Sequence, residues 1–60
     1  MTGSDLRAAR EATGLTQAAF APLVPATQAD ISRWESGAHR IPRWRDAEIR
    51  AALAKAKRKK

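Results

Sequence analysis

TQAAFAPLVPATQADISRWESG, residues 16–37, decides the fold. Thr16 is a good helix cap, and Phe20, Leu23 and Val24 then share one face at i, i+3 and i+4, which predicts a helix over 17–23. Pro22 falls inside that helix. It removes a backbone donor and crowds the carbonyl of Ala18, so the helix is expected to kink or end early, and Pro25 reinforces the stop. Thr27 caps the next segment, with Asp30 three residues on in the arrangement of a capping box; Ser36-Gly37 closes it, giving a helix over 28–35. Ile31 and Trp34 form its inward stripe, with Ala26 just before it. Gln28, Ala29, Ser32 and Arg33 fall on the other side.

Working outward, Ser4 and Asp5 suit the start of a helix over 5–13, with Leu6 and Ala9 on one face and Gly14 as its stop. Downstream, Ala38 to Arg43 read as a loop anchored by Ile41. A fourth helix follows from Pro42–Trp44 or from Asp46, with Ile49, Ala52, Leu53 and Ala56 at helical spacing. The cations at 55 and 57–60 carry no further apolar pattern, so a domain of residues 1–54 is expected to fray into a mobile basic tail, 55–60. Nothing alternates with the period of a strand. The expected fold is all-α: four helices around Leu6, Ala9, Leu15, Phe20, Ala21, Val24, Ile31, Trp34, Ile41, Ile49 and Leu53.

Sixty residues make one domain at most, with a core that buries only about 60% of the unfolded surface. Cysteine is absent, which excludes disulfides and thiolate zinc sites and fits a cytoplasmic protein. His39 alone cannot make a metal site, and neither a cofactor nor a small-molecule ligand is expected. No stretch approaches the roughly 18 apolar residues of a membrane span, and the first ten residues hold no apolar signal core. The charge is uneven. Residues 1–35 hold three arginines against four carboxylates, while residues 36–60 hold nine basic groups against Asp46 and Glu48. A basic half attracts polyanions, nucleic acid before anionic membrane.

A short helix, a tight turn and a second helix make the unit that reads duplex DNA, its second helix fitting a major groove about 12 Å wide. The outward set on 28–35 has suitable chemistry: glutamine pairs with adenine, arginine with guanine, alanine meets a thymine methyl and serine adapts. GLTQ (14–17), Thr27-Gln28 and ISRWESG (31–37), at their spacing, resemble the helix-turn-helix of the Cro and lambda-repressor type, the XRE family. The resemblance runs from residue 5 to 44 without a gap, about two thirds of the chain. It implies a DNA-binding regulator in which Gln28, Ala29, Ser32 and Arg33 face bases. Gln17 would touch a phosphate and brace Gln28, Thr27 and Ser36 would hold phosphates, and Arg40 and Arg43 would track the backbone. Arg10 and Glu35 would form a structural pair. Where the family carries a left-handed glycine, this chain has Pro25, which cannot adopt positive φ, so the turn must be built differently.

Plainer readings sit beside these. Gln28 could be solvated, Arg33 could pair with Asp30, and Asp30 is expected to cap rather than to contact cytosine. Trp34 reads as core; Trp44 packs in the monomer or joins an interface; His39 reads as a loop residue. Catalysis is not expected: no serine has a base, no glycine loop cradles phosphate, and Asp46 and Glu48 lie on different helix faces. The expected function is a phage- or prophage-like transcriptional regulator, a repressor binding double-stranded DNA as a homodimer on a palindromic operator. The alternatives are an antitoxin or adaptor that docks a partner on Ile49, Ala52 and Leu53, and a membrane-surface peptide built on the basic last helix.

Overall fold

A threonine begins each of the first three helices. In the computed structural model, which describes residues 1–58, the order is α1 (Gly3–Thr13), α2 (Gln17–Phe20), one 3-10 turn (Ala21–Leu23), α3 (Gln28–Ser36) and α4 (Arg43–Arg58). The caps are Thr2, Thr16 and Thr27. The first helix therefore starts two residues before the expected position. Its cap is Thr2 and not Ser4, because Thr2 and Asp5 complete a capping box: the Asp5 N–H donates to Thr2 Oγ1 at 3.0 Å and the Thr2 N–H to Asp5 Oδ2 at 3.1 Å. Those hydrogen bonds hold the Asp5 carboxyl below its ordinary pKa. Thr27 and Asp30 repeat the device at the start of α3, at 3.1 and 3.4 Å. Gly14 and Gly37 end α1 and α3 at φ 81° and 84°.

Pro22 ends α2 after one turn and sits in the first turn of the 3-10 segment, where its missing donor is harmless. The Ala21 carbonyl then accepts from both Val24 N–H (3.1 Å) and Ala26 N–H (2.9 Å). Among the described residues no non-glycine has positive φ, so the turn through Pro25 reaches α3 without a left-handed residue. The fourth helix continues to Arg58, four residues past the boundary expected at 54. Alanine and lysine are strong helix formers, and cations suit a helix C-terminus. Lys59 and Lys60, also assigned to the tail, lie outside the described residues.

Leu6, Phe20, Val24, Ile31 and Ile49 are completely buried, and Ala21, Trp34, Ile41 and Ala52 complete the core. Each large side chain buried in this way contributes about 1.5–3 kcal/mol. Leu15 and Leu53 pack against the edge, and Ala9 is only half-buried because α1 turns its Leu6 and Arg10 inward instead. Ala52 takes a core place that the sequence reading left out. Trp44 is 65% exposed.

The start of α1 meets the end of α3 at Gly3. A Cβ added there would stand 1.9 Å from the Trp34 carbonyl oxygen, a backbone atom that cannot swing away. Gly3→Ala should therefore destabilise by about 1–3 kcal/mol, as overpacking does. Urea denaturation would show it as a lower midpoint, and an unchanged midpoint would mean that the two helices do not approach this closely.

Candidate nucleic-acid interface

The inward side of α3 is fixed by Ile31 and Trp34, 0% and 7% exposed. Its opposite side, Gln28, Ala29, Ser32 and Arg33, is exposed along its length. An α-helix with side chains is about 10–12 Å across, the width of the major groove.

What holds this helix is Arg10. From α1, its guanidinium forks onto Glu35 near the end of α3, Nε to Oε2 at 2.6 Å and Nη2 to Oε1 at 3.1 Å. A third bond runs from Nη1 to the Leu15 carbonyl, just before α2, at 2.7 Å. Gln17 Nε2 donates to Glu35 Oε1 at 3.0 Å. One carboxylate thus joins three helices, with the Arg10 and Glu35 side chains only 11% and 4% exposed. Burial pushes the Glu35 carboxyl up, but hydrogen bonds from Arg10 and Gln17 and the charges of Arg10 and Arg7 more than offset it, so the group is held below its ordinary value.

The family model described as helix-turn-helix domain matches residues 3–58. The chain belongs to the helix-turn-helix domain family. Comparison with curated proteins and with solved structures gave no match. In this helix-turn-helix domain, α2 with its 3-10 turn is the first helix of the DNA-binding unit and α3 the second.

The site residues expected from the sequence fall into three situations. Gln28, Ala29 and Ser32 are exposed, and Arg33 is exposed with Nη1 3.4 Å from Asp30 Oδ1. That surface pair is worth only tenths of a kcal/mol and competes weakly with any other partner of Arg33. Thr27 and Ser36 already serve the ends of α3. Thr27 caps it, and Ser36 Oγ donates to the Arg33 carbonyl and accepts from Ala38 N–H. Gln17 departs from expectation: the structure bonds its side-chain amide to Glu35 and not to Gln28, because Glu35 is the buried acceptor within reach of the start of α2. Among the described residues Arg40 and Arg43 have no carboxylate partner, unlike Arg7, Arg10, Arg33, Arg45 and Arg50.

Ser32, Ser36 and Gln17 line one shallow cleft of about 220 Å³ together with Arg7, Arg10 and Glu35. Arg7 is an α1 residue that the sequence reading passed over. Its i, i+4 partner Glu11, 3.2 Å away, suggested nothing beyond an ordinary helix-surface pair. No helix among the described residues is long and apolar enough to cross a membrane, and among them no three His, Cys, Asp or Glu side chains gather where a metal could sit.

Proposed function

We propose that this helix-turn-helix domain is a small transcriptional regulator, phage- or prophage-like, that works in the cytoplasm as a repressor and binds a palindromic DNA operator as a homodimer. The exposed face of α3, backed by buried Ile31 and Trp34, is the observation that carries this reading. Gln28, Ala29, Ser32 and Arg33 read base edges, while Gln17, Thr27, Ser36, Arg40 and Arg43 hold the phosphate backbone. One such face touches too few bases for high specificity, and two on half-sites about 34–36 Å apart solve that. The adaptor and membrane readings are disfavoured because Ile49 and Ala52, the apolar face they need, are 0% and 1% exposed inside the monomer.

Selection of bound duplexes from a random pool tests the proposal. The expected product is two inverted half-sites about one helical turn apart. Arg40 and Arg43 in each of two protomers alone give a slope of log affinity against log salt of about −3.6. Binding indifferent to sequence at physiological salt would sink the regulator reading. A single, non-repeated site would sink the homodimer.

A further inference from the structure

Arg45, in the first turn of α4, belongs to none of the groups considered so far. Its guanidinium lies 4.7 Å from the ring centre of Trp44 and 5.7 Å from that of Trp34, both within cation–π range. Its Nη1 donates to the Pro25 carbonyl at 3.0 Å and to Glu48 Oε1 at 2.8 Å. Although charged and close to the surface, the side chain is only 18% exposed. The arrangement also accounts for Trp44: an indole 65% open to water closes one side of the arginine stack.

The position of that carbonyl gives the contact its meaning. Pro25 stands three residues before α3 begins, in a turn that lacks the left-handed residue such turns use. The Arg10 fork grips Glu35 at the other end of the same helix. α3 is therefore mounted at two points, by Arg10 from α1 near its C-terminus and by Arg45 from α4 ahead of its N-terminus. We infer that Arg45 is a positioning residue: through the Pro25 carbonyl and the Trp34 ring it sets the angle at which the N-terminal half of α3 is presented, and so helps to decide which bases Gln28 and Ala29 read. The inference rests on the regulator reading of this same face. With Arg45 gone, the helix pivots about its Arg10 anchor, and its far end moves most. Gln28 and Ala29 lie at that far end, while Ser32 and Arg33 lie nearer Glu35.

The test uses the full chain with Arg45→Leu, which removes charge, fork and donors, and Arg45→Lys, which keeps the charge but loses the planar fork and stack. Base preferences are measured by selection from a random duplex pool, with Gln28→Ala marking the positions read from the N-terminal end. Both Arg45 variants should lose discrimination at those positions on the order of tenfold and keep it at the positions assigned to Ser32 and Arg33. Arg45→Lys should keep the wild-type salt slope.

A uniform loss of affinity, with the slope reduced by about one in Arg45→Leu alone, would make Arg45 a phosphate contact and overturn the inference. Unchanged preferences, or loss of folding in both variants, would overturn it too. A readout without DNA separates this from the fate of the regulator proposal. In the free protein the amide resonances of 26–29 should shift or broaden in both variants, while those of 35–37 stay put. If the wild type selects no sequence but these amides still respond, the regulator reading fails while the two-point mounting stands.

Discussion

Arg10→Ala lowers the stability of this domain by about 3–5 kcal/mol, the expected result of leaving a buried Glu35 without its partner. At about 0.05–0.15 kcal/mol per residue, a chain of 60 residues has only about 3–9 kcal/mol in total, so much of the population unfolds at room temperature. Loss of helical circular dichroism on mild heating would record it. Arg10→Met together with Glu35→Leu should recover most of the loss, since an apolar pair of similar volume needs no compensation.

Acid acts on the same pair. Glu35 has a folded pKa below its ordinary value of 4.5. Its contribution is therefore fully present above that value and is lost as pH falls through the folded pKa. Wild-type stability should drop on acidification below about pH 4.5, and the Arg10→Met/Glu35→Leu protein should drop less. Equal acid sensitivity in the two proteins, or an Arg10→Ala variant as stable as the wild type, would show that the fork does not hold the three helices together.

The second large effect is on DNA. Gln28→Ala and Arg33→Ala should each lower affinity for the selected site by about 1–3 kcal/mol, roughly 5- to 150-fold, and the double variant should lose more than either. Both side chains are exposed, so folding should change by less than about 0.5 kcal/mol. Removing Arg33 sacrifices only the weak surface pair with Asp30. The loss should be confined to particular base positions. Arg40→Ala or Arg43→Ala should instead weaken binding to every sequence alike and reduce the salt slope by about one. A double variant that still prefers the same duplex by the same margin would remove α3 from the interface.

Signals that act within four residues were legible in the chain. Thr27 with Asp30, Gly14 and Gly37 each satisfy backbone groups locally, and the two sides of α3 follow from helical spacing. Thr2 and Asp5 spell the same capping signature as Thr27 and Asp30, so the start of α1 was equally readable. Ser4 displaced it only because serine beside aspartate also resembles a cap. What could not be read is whatever depends on how helices meet. Gly3 is required by a carbonyl 31 residues away in sequence, on α3. Gln17 chooses Glu35 because Arg10 has already buried that carboxylate. The stack of Trp44, Arg45 and Trp34 spans two helices and has no local pattern.

Pro22 and Pro25 flank the join between the two helices of the DNA-binding unit, and each occupies backbone that its ring permits. Their rings also restrict this short stretch before the chain folds at all. The disordered ensemble has fewer shapes to lose, an advantage of about 0.4–1 kcal/mol for each such residue that no contact in the native state records.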